Sequence, residues 1–188
     1  PQRRAYELAL HLASDSDSPF HDCIEFQKPP GQKRKNQLVV NAKNFIDATS
    51  KWIRGSKSIY GDWNTDEFHR KEVMNFFIAF KNTCNQWEDG KNRWETGQGK
   101  NKQLLQFEVP FLSLLNIAQY SVSTLIEQGH TERPFSTDTF EELLEPLMWV
   151  DWKSGGLAKS KLRGRTNQNN KHLTLWMTTA MENGIQYD

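Results

Sequence analysis

The residues best placed to do chemistry are the cations of residues 151–172, DWKSGGLAKSKLRGRTNQNNKH, in which no acid follows Asp151. Glycines in this segment permit a close backbone approach, and its Ser, Thr, Asn and Gln side chains supply neutral hydrogen-bond donors. Groups of these kinds contact the phosphate oxygens of nucleic acids. The alternative is a solvated connector between two helices, since charged loops are common on ordinary proteins. We predict phosphate contacts from Lys159, Lys161, Arg163, Arg165 and Lys171.

The cations of the chain fall into two blocks. The upstream block, residues 28–57, has eight Lys or Arg residues and Asp47 as its only acid, and the downstream block, residues 153–181, has six cations and no acid. Between them, residues 127–151 hold seven acids against Arg133, so the formal net charge of +1 conceals strong segregation. Clustered cations gain affinity for a polyanion by releasing its condensed counterions.

A loop in the upstream block, QKPPGQKRKNQ, contains two prolines and a glycine and cannot form a core element. Because its basic side chains must then be solvated, they are available to a polyanion. We predict a second phosphate patch at Lys33, Arg34 and Lys35. Neither block has the pattern of a helix-turn-helix or a zinc finger, so sequence-specific base recognition is not predicted.

Signatures of catalysis and of metal binding are missing from the sequence. It contains no HExxH, GxSxG, CxxC or GxGxxG motif. The five histidines show no metal-ligand spacing, and the two cysteines, Cys23 and Cys84, are predicted to be buried, reduced thiols. We predict no cofactor, no metal and no catalytic residue. An enzyme with an unfamiliar site stays open as an alternative, because a helical protein can bring carboxylates together from distant positions.

Two further groups of charges are predicted to be solvated helix faces. Residues 67–72, EFHRKE, form one such face within a long helix. Asp138, Glu141, Glu142 and Glu145 form the other, near the start of a short helix where the helix dipole favours acids. For this acidic helix, a catalytic carboxylate set or a contact for a basic partner is the alternative.

The elements that must position these residues are helical, because apolar residues recur three and four positions apart. We predict helices at about residues 3–14, 41–54, 64–87, 110–129, 136–147 and 167–183. The segment QLVVN predicts a short strand. The predicted fold is therefore mainly α, an irregular bundle of about six helices with at most one short β element.

Capping residues and one aromatic stripe support these helices. Either Asn41 or Asn44 is expected to cap the second helix, and either Ser136 or Thr137 the fifth. Pro110 suits a first helical turn, and Gly129 and Gly184 are expected to end helices. The third helix carries a stripe that predicts core packing, not a base-stacking platform. Its apolar residues are Val73, Phe76, Phe77, Phe80, Cys84 and Trp87.

The length of the chain fits one helical domain over residues 1–188, and two lobes, residues 1–103 and 104–188, are the alternative. No apolar run is long enough to span a bilayer, and the N-terminus lacks the apolar region of a signal peptide. We therefore expect no membrane association and a cytoplasmic location. Because the chain begins at Pro1 and not at Met, we also expect it to be the C-terminal part of a longer protein.

Three segments, taken in order, resemble proteins of the DGQHR-domain family. RRAYELALHLASDSDSPFHDCIEF resembles the segment that follows the namesake motif, with its Ser-Pro-Phe turn. EVMNFFIAFKNTCNQW resembles the aromatic helix of these proteins, and FEELLEPLMWVDW is similar to their late acidic helix followed by Asp-Trp. The sequence has no Asp-Gly-Gln-His-Arg stretch, so the resemblance places it downstream of that motif. No catalytic residue is carried over.

This family includes the DndB-type proteins of the DNA phosphorothioation system, so the resemblance implies a role around DNA modification or prokaryotic defence. With the two basic blocks, it predicts a DNA-associated helical module that contacts the phosphate backbone with low sequence specificity. The alternative is a protein interaction or oligomerisation module without nucleic-acid binding, in which the acidic helix of one chain contacts a basic block of another.

Overall fold

Helices account for most of the structure, and they follow the predicted periodicity closely. The computed structural model describes residues 2–21, 24–26, 40–53, 66–84, 108–148, 150 and 166–184. These residues form six α-helices: α1 (Gln2–Ser14), α2 (Ala42–Ile53), α3 (Asp66–Cys84), α4 (Glu108–Glu127), α5 (Thr137–Leu144) and α6 (Thr166–Asn183). The mainly α fold class is confirmed. The predicted limits of the third helix, Asn64 and Trp87, lie outside the described residues, as does Cys23.

The β structure of the described residues is one short parallel pair. Strand β1 (Ile24–Glu25) lies beside β2 (Val40–Asn41), with Ile24 opposite Val40. The predicted strand QLVVN is present in its last two residues, and its first three lie outside the described part of the chain. In the sequence, these two strands precede and follow Lys33, Arg34 and Lys35, which lie outside the described residues.

Side-chain caps select between the predicted helix starts. Asn41 Oδ1 accepts a hydrogen bond of 2.9 Å from the Lys43 backbone N–H, so Asn41 caps α2. Ser136 Oγ accepts one of 3.1 Å from the Thr139 N–H, so Ser136 caps α5. Asn44 and Thr137, the other two candidates, lie inside these helices.

Helix ends follow from backbone chemistry. Gly129 and Gly184 come after α4 and α6 with φ angles of +88° and +76°, a left-handed conformation that glycine adopts at low cost. After α5 the chain tightens into a 3-10 helix, Glu145–Leu147, which contains Pro146. Proline lacks the N–H that an α-helix would need at this point, which explains why α5 does not continue.

The aromatic stripe of α3 forms the centre of the core. Val73, Phe76, Phe77 and Phe80 are at most 3% exposed. The Phe77 ring meets Phe20 edge-on at a centroid distance of 4.5 Å, and Phe76 meets Phe140 in the same way at 5.5 Å. These contacts confirm the core interpretation, because rings enclosed in this way offer no face to a base.

The helices pack mainly in three pairs that share this core. Among the described elements, α1 lies chiefly on α2, α3 on α5, and α4 on α6. One hydrophobic cluster reaches from Leu8 on α1 to Ala180 on α6. Ile126, near the end of α4, is apolar but 40% exposed. It follows buried Leu125 by one residue, which turns it about 100° around the helix axis.

Candidate nucleic-acid interface

The structure describes one of the eight predicted phosphate-binding residues. Lys171 lies on α6 and is exposed. The other seven, Lys159, Lys161, Arg163, Arg165, Lys33, Arg34 and Lys35, lie outside the described residues. Both basic blocks nevertheless run into described helices, the upstream block into α2 and the downstream block into α6. Helices α2 and α6 therefore position the described residues of the two basic blocks.

Helix α6 presents Lys171 to solvent because its opposite side is committed to the core. Leu173, Met177 and Ala180 are at most 2% exposed and follow the spacing of one helix face. His172, next to Lys171, is also exposed. No described carboxylate forms an ion pair with Lys171. Its ammonium group is therefore available to an anion from outside the described part of the molecule.

Two polar contacts set the register of α6 on α4. Asn116 Nδ2 donates to Thr174 Oγ1 at 3.4 Å, and Tyr120 Oη donates to Glu182 Oε1 at 2.6 Å. The later residue of α4 contacts the later residue of α6, so the two helices run in the same direction. Lys171 lies toward the N-terminal end of the pair. Burial raises the pKa of the Tyr120 phenol, and the hydrogen bond to the Glu182 carboxylate raises it further.

The acidic helix α5 points most of its carboxylates outward, as predicted. Asp138, Glu142 and Glu145 are exposed. Glu141 is half-buried and accepts a hydrogen bond of 2.7 Å from Asn82 Nδ2 on α3. Among the described residues none of the four forms an ion pair with a cation, so this face keeps its negative charge.

Arg133, the only cation of the acidic segment, is engaged inside the protein. Its Nη2 donates to Glu72 Oε2 at 2.7 Å and its Nε donates to Glu72 Oε1 at 3.0 Å, a two-point guanidinium–carboxylate pair. The Glu72 side chain is 1% exposed and that of Arg133 14%. Glu72 was predicted to lie on a solvated face, and this prediction is wrong. The residue turns inward because α3 packs on the segment that carries Arg133 and Phe135.

The surroundings of this ion pair satisfy both charges. The Phe135 backbone N–H donates to Glu72 Oε1 at 3.4 Å, and the guanidinium lies over the rings of Phe68 and Phe135, at 5.1 and 5.4 Å from their centroids. Asn75 Nδ2 donates to the Phe135 carbonyl at 2.8 Å. Buried charges need such partners to persist. The ion pair has a structural role, because its two charged groups face one another and not a cavity that could hold a ligand.

Arg70 also departs from the predicted solvated face of α3. It is half-buried, and its Nη1 lies 3.3 Å from His11 Nδ1 on α1. Because a guanidinium only donates, the His11 Nδ1 accepts, and the ring proton is assigned to Nε2, which lies 3.8 Å from Asp15 Oδ2. Glu67 and Lys71, from the same predicted face, are exposed as expected.

Among the described residues, no group of three His, Cys, Asp or Glu side chains is arranged to hold a metal ion. None of the helices they form combines the length and the apolar character that crossing a membrane requires.

Comparison of the chain with known protein families, with curated proteins and with solved structures gives no match.

Proposed function

We propose that this chain binds nucleic-acid phosphates, chiefly the backbone of DNA, through its two basic blocks and with low sequence specificity. The observation that carries the proposal is the segregation of charge, with fourteen cations in residues 28–57 and 153–181 and Asp47 as their only acid. A polyanion placed against such blocks releases condensed counterions, and this release supplies most of the nonspecific binding free energy.

The environment of Lys171 supports the proposal at the position that the structure describes. The opposite face of α6 is buried, and no described carboxylate pairs with this ammonium group. The downstream block therefore has a rigid helical support that begins at Thr166. In the proposal, Lys159, Lys161, Arg163 and Arg165 act with Lys171 as phosphate counter-charges, and Lys33, Arg34 and Lys35 form a second patch.

The biological setting that we propose is DNA modification or defence, of the kind served by DndB-type proteins. The support is the resemblance of three ordered segments to the region downstream of the DGQHR motif. The α3 stripe, which is part of one of those segments, forms the core of the fold. In this setting the chain contributes affinity for the DNA backbone.

The test is duplex binding titrated at several salt concentrations, followed by the anisotropy of a labelled DNA fragment. We expect the logarithm of the association constant to fall linearly with the logarithm of salt concentration, by about 0.9 for each phosphate neutralised. Duplexes of unrelated sequence should bind alike, because phosphate contacts carry no sequence information. A flat salt dependence would remove the electrostatic mechanism.

A second function, self-association through charge, is favoured by one observation. Asp138 and Glu142 on α5 and Glu145 just after it are exposed without a described cation partner, so they present a negative face to the basic blocks of another chain. Light scattering without nucleic acid, at low and at high salt, discriminates the two functions. A dimer that dissociates as salt rises supports self-association, and a monomer at both salt concentrations excludes it.

A further inference from the structure

A groove with a volume of about 770 Å³ lies where α1 and α2 meet. This volume falls within the range of small-ligand sites, roughly 300–1,000 Å³. One end of it is lined by the first residues of both helices, Gln2 and Arg3 on α1 and Ala42 and Lys43 on α2. The positive, N-terminal ends of both helix dipoles, with one cation each, therefore lie at the same end of the groove.

The two cations at this end of the groove, Arg3 and Lys43, are exposed. Lys43 is exposed, and no described carboxylate forms an ion pair with it. Arg3 Nε donates to Glu7 Oε1 at 2.9 Å, but the two side chains are 90% and 43% exposed. Because the Arg3 side chain is so exposed and a guanidinium carries five N–H donors, a phosphate can approach it from solvent while the contact with Glu7 remains.

One helical turn along both helices from this end, the lining changes from cationic to aromatic. Tyr6 is 45% exposed, and its ring meets that of Phe26 edge-on at a centroid distance of 5.7 Å, which holds it in place. Ile46 is half-buried beside it, and Asp47 contributes a carboxylate. The groove thus offers cations at one end and, about one helical turn along, a ring, an apolar surface and a hydrogen-bond acceptor.

This order of groups matches one nucleotide. A phosphate fits the cations, a base stacks on an exposed ring, and a carboxylate accepts hydrogen bonds from an amino group such as cytosine N4. The Asp47 and Glu7 carboxylates disfavour a ligand that is only anionic. They are compatible with one that carries its anion at one end and a donor at the other.

We infer that the groove between α1 and α2 holds one unpaired nucleotide of a single-stranded nucleic acid, with the base on Tyr6 and the phosphate on Arg3 and Lys43. The inference rests on the proposed function, which it deepens by adding a contact that a paired duplex cannot make. The bases of a duplex are stacked on their neighbours, so a groove on the protein surface receives a base only from an unpaired strand.

The test measures binding of labelled oligo(dC) to the full chain and to three variants. Tyr6→Leu removes the ring but keeps apolar volume, and we expect it to weaken binding on the order of tenfold, the effect of losing one stacked base. Tyr6→Phe keeps the ring and should bind like the wild type. Leu10→Ala, at an exposed apolar position one turn along α1 and outside the groove lining, is the matched control and should also bind like the wild type. Circular dichroism verifies that each variant is folded.

The outcomes separate the inference from the proposed function. Oligo(dC) affinity that is unchanged in Tyr6→Leu, while the salt dependence of binding persists, overturns the stacking site and leaves the phosphate contacts standing. The stacking site is also overturned if Tyr6→Leu weakens duplex binding as much as oligo(dC) binding. The Tyr6 ring would then not be stacking on an unpaired base. Absence of salt-dependent binding to either nucleic acid overturns both. Displacement of oligo(dC) by free cytidine monophosphate at equal nucleotide concentration would assign the groove to a free nucleotide and not to a strand.

Discussion

Two regions of the molecule place the same kinds of charged residue in opposite surroundings. Glu72 and Arg133 form a two-point ion pair that is nearly excluded from solvent and lies beside aromatic rings. Lys171 on α6 is exposed and has no carboxylate partner among the described residues. A count of charges along the chain therefore does not show which of them are structural and which can bind a partner. Burial decides whether a charge holds the fold together or is available to a partner.

The largest effect on stability is expected when one partner of the buried Glu72–Arg133 pair is removed. Glu72→Ala leaves the Arg133 guanidinium buried without a counter-charge, and we expect the free energy of unfolding to fall by about 3–5 kcal/mol. Urea denaturation followed by circular dichroism measures the change. Glu67→Ala, at an exposed position of the same helix, is the control and should stay within about 0.5 kcal/mol of the wild type. Equal effects of the two substitutions would mean that burial does not separate the two classes of charge.

An intermediate effect is expected at the cap of α5. Ser136→Ala removes the oxygen that accepts from the Thr139 N–H, and the free energy of unfolding should fall by about 1 kcal/mol. Ser123→Ala, inside α4, provides the control, because alanine is the better helix former and no loss is expected there. A cap substitution without effect on the urea midpoint would show that the start of α5 is held by tertiary packing alone.

A smaller, pH-dependent effect is expected at Tyr120. Its pKa is raised in the folded state, so the folded protein holds the phenolic proton more tightly than the unfolded chain does. The resulting stabilisation is fully present below the ordinary tyrosine pKa of about 10 and is lost as the pH rises through the folded pKa. The free energy of unfolding should therefore fall less steeply above pH 10 in Tyr120→Phe than in the wild type. Parallel curves for the two proteins would contradict this assignment.

The smallest effect on stability is expected at Lys171. Lys171→Gln removes an exposed charge and should change the free energy of unfolding by less than about 0.5 kcal/mol. Its effect should appear in DNA binding, where the slope of log affinity against log salt falls by about 0.9. A large loss of stability with an unchanged slope would place Lys171 with the structural charges and not with the binding ones.

Much of the fold could be predicted because its signals are local. The Asn41 and Ser136 caps, the glycines after α4 and α6, and the α3 stripe each depend on residues a few positions apart. Spacing of this kind is visible in a sequence. The same local reasoning left two caps undecided, because Asn44 and Thr137 are chemically equivalent candidates that only the backbone geometry separates from Asn41 and Ser136.

The contacts that could not be predicted join residues far apart in the chain. Glu72 meets Arg133 across 61 positions, and nothing in the pattern EFHRKE distinguishes this glutamate from its solvated neighbours. The groove between α1 and α2 likewise combines residues near the N-terminus with Phe26 and the start of α2. Of the predicted interface, the structure describes Lys171 and shows it exposed. Phosphate contact by all eight cations stays a prediction.

Two charge-matched double variants determine whether the basic blocks bind phosphates. Lys161→Gln combined with Arg163→Gln removes two cations from the downstream block, and Lys71→Gln combined with Lys81→Gln removes two cations from α3. In salt titrations of duplex binding, the first pair should reduce the slope of log affinity against log salt by about two, and the second should leave it at the wild-type value. Identical slopes in the two double variants would contradict the claim, because the loss would then depend on net charge alone.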